Sequence, residues 1–200
     1  MRELDSVVLA SASPRRLALL EALGLDVAVV PSGVVEGERA GLTALPLAAF
    51  HAAAKANAVS AGDPEATVVA ADTVVDRDGA ILGKPADAQA ARAMLRSLAG
   101  REHIVHTAYA LRAPEGRLDG NASTRVRFAR FDDATIEAYV ASGEPFDKAG
   151  AYGVQGRGAA LVERIDGDFY TVMGFPLGDF IRRLPELGLR LPLQRAAVLA

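Results

Sequence analysis

Apolar and polar positions along this chain fall into blocks that predict strands and helices in alternation. The first apolar run, Val7-Val8-Leu9-Ala10, reads as a buried strand that turns sharply at Ser11-Ala12-Ser13-Pro14-Arg15-Arg16 into a helix. Ser13 is expected as the N-cap, with Pro14 at the first helical position, where its missing N–H costs nothing. Leu17, Leu19, Leu20 and Leu23 supply the apolar face, and Gly24 stops the helix. Residues 26–30 predict a second strand, broken by Pro31-Ser32-Gly33 and followed by a loop carrying Glu36 and Glu38. A helix is expected over 46–60, with Leu47, Phe50, Ala54 and Ala58 on one side and Lys55 within it. Residues 67–71 are continuously apolar, as in a sheet centre covered on both faces, and this strand is expected to end at Asp72-Thr73.

Asp76 to Gly79 predict a turn, Ile81-Leu82 a short extended piece, and Gly83-Lys84-Pro85 a loop. Asp87 is expected to cap an Ala-rich helix that runs to about Leu98 and closes at Gly100. Two long strands follow, over 103–112 and 122–131, joined around Glu115-Gly116 by a connection longer than a tight two-residue turn. Asp132 caps a helix with Ile136, Tyr139 and Val140 inward and Gly143 as its stop. Beyond a loop dense in Gly and charged residues, 159–165 predict a strand and Asp166-Gly167-Asp168 a turn. A last helix is expected to end near Leu187, before a mildly apolar tail over 191–200 that docks on a partner or frays. Helices alternating with strands, interrupted by one long hairpin, predict an α/β protein with a mixed rather than purely parallel sheet.

Composition narrows the class. With 200 residues, half of them hydrophobic, the chain is long enough for one substantial core; two fused lobes are compatible with this length, but no linker appears. A net charge of −3 gives no general footprint for nucleic acid or an anionic membrane, so any anion site must be a local cluster. The absence of cysteine excludes disulfides and thiolate metal sites. No secretory signal is read at the N-terminus, and no stretch approaches the roughly 20 apolar residues of a membrane span, so a cytoplasmic protein is the expectation.

Within that frame, Arg15 and Arg16 are awkward. The first turn of a helix is already partly positive, so two cations there are unfavourable unless an anion binds among them. Such an anion would meet free amides, the Ser11 and Ser13 hydroxyls, and both guanidinium groups; the alternative is an ordinary capped helix with two solvated arginines. Asp72 is the leading carboxylate, because ligands in α/β sheets collect beyond the carboxyl ends of strands, although a turn-forming aspartate reads the same way. Glu36 on its Gly-bounded loop and Lys55 on its Ala-rich helix are candidates that also read as solvated surface charges. Lys84, between Gly83 and Pro85, suits a lysine presented at a fixed point. Residues 147–156 combine glycines, which allow close backbone approach, with Gln155, which both donates and accepts. His103 and His106 sit on one strand at odd separation and face opposite sides, so no shared metal is expected. No GxSxG, GxxxxGK[ST] or GxGxxG pattern occurs.

Taken in order, these stretches resemble the Maf family of nucleoside triphosphate pyrophosphatases over about residues 6–187. The matching pieces are Ser-Ala-Ser-Pro-Arg-Arg at 11–16, Glu36, Lys55-Ala56, Ala-Asp-Thr-Val-Val at 71–75, Gly83-Lys84-Pro85, Gly100-Arg101-Glu102-His103, Gly143-Glu144-Pro145, residues 147–156 and Gly174-Phe175-Pro176-Leu177. The resemblance implies a single domain over 1–200, with an elongated mixed sheet flanked by helices in two lobes around a cleft, similar to inosine triphosphate pyrophosphatases. It implies hydrolysis of a nucleoside triphosphate to the monophosphate and pyrophosphate with a divalent cation, Mg²⁺ or Mn²⁺. Asp72 is then the proton acceptor or, with Glu36, a metal ligand, since one carboxylate cannot serve fully as both; Arg15, Arg16, Lys55 and Lys84 would neutralise phosphate charge. Arg15, Thr73 and Gln155 occupy positions tied to substrate choice and resemble the branch acting on dTTP and UTP. Roles in cleaning the nucleotide pool and in cell-division arrest follow from the same resemblance, as does a non-catalytic regulator of septum formation as the competing reading. The family and the apolar tail suggest a homodimer. One departure is local: Asp168-Phe169-Tyr170-Thr171 stands where the family more often has a serine and an asparagine.

Overall fold

A computed structural model describes residues 1–37 and 39–192. In chain order the elements are β1 (Arg2–Glu3), β2 (Ser6–Leu9), α1 (Pro14–Glu21), β3 (Asp26–Val29), α2 (Ala44–Ser60), β4 (Val68–Arg77), β5 (Ala80–Leu82), α3 (Ala88–Leu98), β6 (Glu102–Ala113), β7 (Gly116–Phe128), α4 (Asp133–Ala141), β8 (Val162–Asp166), α5 (Phe169–Met173), α6 (Leu177–Arg183) and β9 (Leu189–Arg190). Short 3₁₀ segments fill Glu144–Asp147, Ala149–Ala151, Gly156–Leu161 and Leu184–Leu187.

Among the described residues, seven strands form one mixed sheet in the order β3-β2-β4-β6-β7-β8, with β5 added beside β4. β3, β2 and β4 run parallel, and every other pairing in this sheet is antiparallel. The expected mixed α/β architecture is what forms. Apolar side chains of α2 pack against Val68, Ala70 and Val74 on one face of β4. On the other face, α1 and α6 pack against Val69 and Ala71. Further along the sheet, α3 and α4 cover β6 and β7 around Val105, Val126 and Phe128. No helix among the described residues is long and apolar enough to cross a membrane.

One feature of this sheet sets where the cleft opens. β2 pairs with β4 only as far as Leu9 opposite Val69, and β5 begins to pair with β4 only at Val75. Between those points the β4 edge has no strand beside it, and Asp72 and Thr73 lie in that break. The strand therefore does not end at Asp72 as its sequence suggests; it runs on to Arg77, because Asp72 finds a buried cation and remains compatible with the sheet.

Other expectations are corrected in detail. β7 begins at Gly116 rather than near 122, and Ala113 pairs with Gly116 across a tight two-residue turn. Its opening stretch alternates exposed Arg117, Asp119 and Asn121 with inward Leu118 and Gly120, a weak apolar signal. The strand expected from 159 begins at Val162, after a 3₁₀ turn. Residues 169–173, for which the sequence pattern predicts no element, form α5, capped where Asp168 accepts from the Tyr170 and Thr171 amides. The face expected inward on α2 is also displaced. Phe50 is 40% exposed, and the buried stripe carries His51 and Lys55 among alanines and Leu47. Leu191 is buried in the core, whereas Glu38 and the tail from 193 lie outside the described residues.

Candidate functional site

At the break in the sheet opens a cleft of about 780 Å³, and all ten residues singled out from the sequence line it. Its floor is β4. Successive residues of a strand point to opposite faces, so Asp72 faces α2 while Thr73 faces α1 and the segment around Gly174.

On the α2 side, Lys55 lies 4% exposed with its Nζ 2.7 Å from Asp72 Oδ1 and 2.5 Å from Glu36 Oε1. The lysine is thus clamped between two carboxylates, not snorkelling on the surface. Among the described residues no protein donor meets Asp72 Oδ2. One turn earlier on α2, the buried His51 donates from Nε2 to the Gly37 carbonyl at 2.9 Å. Lys55 and His51 therefore hold neighbouring residues of the same loop, and a third tether sets Arg39 over the Phe50 ring at 4.5 Å. Burial pushes the Glu36 carboxyl up, but the Lys55 hydrogen bond and the fields of Lys55, Lys84 and Arg16 outweigh it, leaving the group below its ordinary range.

On the opposite face, Arg16 is pinned three ways. Its Nε donates to the Gly174 carbonyl at 2.9 Å, Nη1 to Ser11 Oγ at 3.1 Å and Nη2 to Thr73 Oγ1 at 3.1 Å. Burial lowers its pKa against the pull of Asp72 and Glu36, and as an arginine it stays charged. Gly174 suits this position because its φ is +115°, which L side chains rarely adopt. Ser13 occupies the N-cap position of α1, but its side chain makes no capping bond, so its hydroxyl stays available. Arg15 reaches across to Asp147, 2.6 Å away, and Lys148 holds the other oxygen of that carboxylate at 2.5 Å. Lys84 is exposed on the rim.

The far wall is the segment that carries Gln155, whose Oε1 is buried with no hydrogen-bond partner. Glu144 orders this wall. It accepts from the Tyr139 hydroxyl at 2.9 Å and from the Arg157 and Gly158 amides at 3.0 and 3.1 Å. Burial raises its pKa, yet these bonds prevail and hold the carboxyl below its ordinary range. His51, Thr107, Glu144 and Asp147 complete the site without standing out as ligands in the sequence. A histidine or threonine on an apolar face reads as core, whereas Glu144 and Asp147 were at least marked by their glycine-rich setting.

A hard divalent cation is compatible with the donors present. Glu36 and Asp72 converge on one point, which Lys55 Nζ now bridges. Among the described residues no cluster of three or more His, Asp or Glu could enclose a metal, so its remaining ligands would be phosphate oxygens and water.

The cations Arg15, Arg16, Lys55, Lys84 and Lys148 and the carboxylates Glu36, Asp72 and Asp147 line a cleft at a break in a mixed α/β sheet, beside the unpaired Gln155 amide oxygen, a lining whose charges suit an extended polyanion. Comparison with known proteins narrows this class. Residues 6–187 match the family model described as Maf-like protein, and the chain belongs to that family. A dTTP/UTP pyrophosphatase of Thermus thermophilus is 47% identical over 184 residues, covering 92% of this chain and 96% of its own. One from Moorella thermoacetica is 48% identical over 178 residues, covering 87% and 91%. Among solved structures, the Staphylococcus aureus Ham1 protein aligns with 62% of this chain and 72% of its own at 16% identity, with a TM-score of 0.44, a partial likeness only.

Proposed function

We propose that this protein is a nucleoside triphosphate pyrophosphatase that converts dTTP and UTP to the monophosphates and pyrophosphate. The observation that carries this reading is the Asp72 carboxylate, fixed through Oδ1 by Lys55 and free at Oδ2, in a cleft lined by Arg15, Arg16, Lys55 and Lys84. The names of its relatives from Thermus and Moorella support the substrate class.

A triphosphate brings about four negative charges, and attack at the α-phosphorus moves charge onto the departing pyrophosphate. The cations of the cleft match that charge, and Arg16 is held in place before any ligand arrives. Water bonds to the α-phosphorus as the bridge to the β-phosphate breaks, and Asp72 Oδ2 takes the water proton. We assign Mg²⁺ or Mn²⁺ to Glu36 and Asp72; when bound, it would neutralise phosphate charge. The base lies toward Arg15, Thr73 and Gln155.

The test is Asp72→Asn, which loses most pyrophosphate release from dTTP while still binding it in calorimetry. Undiminished release by the variant overturns the assignment. Binding without turnover by the unaltered protein, with either metal supplied, supports a non-catalytic regulator instead.

A further inference from the structure

Beneath Thr73 runs a chain of hydroxyls whose proton directions the geometry fixes. Thr73 Oγ1 lies 3.1 Å from Arg16 Nη2 and 2.9 Å from Thr107 Oγ1, and Thr107 Oγ1 lies 2.7 Å from the Thr171 carbonyl oxygen. A guanidinium only donates, a carbonyl only accepts, and each threonine hydroxyl has one proton and two lone pairs. The two ends therefore determine the middle. Thr107 gives its proton to Thr171, so Thr73 is the donor between the two threonines. Thr73 has then committed its proton, one lone pair holds the Arg16 N–H, and a single lone pair remains for the cleft. Thr73 and Thr107 are directly paired across β4 and β6, so the sheet itself sets their spacing. Thr107 and Thr171 are fully buried, which keeps water from supplying another partner.

We infer that Thr107 is a specificity-positioning residue: by taking the Thr73 proton, it makes Thr73 an acceptor-only group at the base end of the cleft. Phosphate oxygens at neutral pH are themselves acceptors, so Thr73 has nothing to offer them. The base holds suitable donors. Thymine and uracil carry a proton on N3, where cytosine carries a lone pair, and an acceptor at Thr73 favours the first two. This rests on the reading above that Thr73 faces the base.

The experiment compares kcat/KM for dTTP and dCTP in the unaltered protein, Thr107→Val, Thr107→Ser and Thr73→Val. In Thr107→Val the Thr73 proton loses its acceptor and turns to the cleft, and the dTTP-to-dCTP ratio falls by about tenfold. Thr107→Ser keeps the hydroxyl and keeps the ratio. Thr107→Cys, with a poor sulfur acceptor, gives a smaller fall and serves if the valine variant does not fold. A ratio moved by Thr73→Val but not by Thr107→Val or Thr107→Cys overturns the relay and leaves base reading by Thr73 intact. A ratio moved by none of these variants overturns the base reading itself, and the relay with it. Equal slowing on both nucleotides in Thr107→Val marks a merely structural role and also overturns the proposal.

Discussion

Mild acid should destabilise this protein through His103. The ring is 2% exposed, set edge-on against Phe128 and Tyr152 at 5.0 and 5.3 Å, with Nε2 2.7 Å from the Tyr152 hydroxyl. Burial pushes its pKa down to about 4 from an ordinary 6.5. Between those values the unfolded chain takes up a proton that the folded one refuses. Stability is therefore full above about pH 6.5 and falls as pH drops, until both states are protonated below about pH 4. At about 1.4 kcal/mol per pH unit the whole window is worth about 3 kcal/mol, of which about 2 kcal/mol is lost between about pH 7 and about pH 5. Urea unfolding at those two conditions measures it. His103→Gln, which does not titrate but keeps a polar partner for Tyr152, should lose most of the slope. A smaller part remains with His106, whose pKa burial also lowers against the pull of Asp76. The same slope in variant and parent would refute the reasoning. Because Tyr152 lines the cleft three residues before Gln155, the loss should reach nucleotide binding too.

Two further outcomes follow from the site. Lys55→Met should cost about 3–5 kcal/mol by chemical denaturation, because it strands the buried Asp72 carboxylate, and adding Asp72→Asn should recover most of that loss. No recovery in the double variant would show that the cost lies elsewhere. Glu144→Gln turns an amide N–H₂ toward groups that already donate, so stability should fall by about 1–3 kcal/mol and KM for dTTP should rise as the Gln155 wall loosens. An unchanged KM in a destabilised variant would separate Glu144 from substrate binding.

Much of the fold was legible because apolar runs and caps acted locally. Pro14 and Gly24 bound α1, Asp87 and Asp132 cap α3 and α4 through their side chains, and residues 67–71 read as sheet centre. The errors arise where partners lie far away in sequence. Asp72 looked like the end of a strand because its counter-ion sits 17 residues earlier on another element. The inward face of α2 is not legible from sequence because a run of alanines gives no apolar contrast, and the residues that mark the buried stripe, His51 and Lys55, are polar. Lys55 and Glu36 read locally as solvated surface charges as readily as site residues, and only the family resemblance separates the two readings. Thr107 had no signal at all, since a threonine on a long strand is unremarkable until its neighbours across the sheet are known.

The missing stretch of strand beside β4 has an evolutionary consequence. Asp72 and Thr73 are adjacent in the chain yet serve opposite faces, one with Lys55 and Glu36, the other with Arg16 and Thr107. A sheet ordinarily keeps such faces apart, but here a single ligand can touch both through the gap. Under the proposed roles, substitutions around Thr107 and Thr171 could retune choice of base while Lys55, Glu36 and Arg16 stay as they are. A scaffold arranged this way can diversify its diet without reinventing its chemistry.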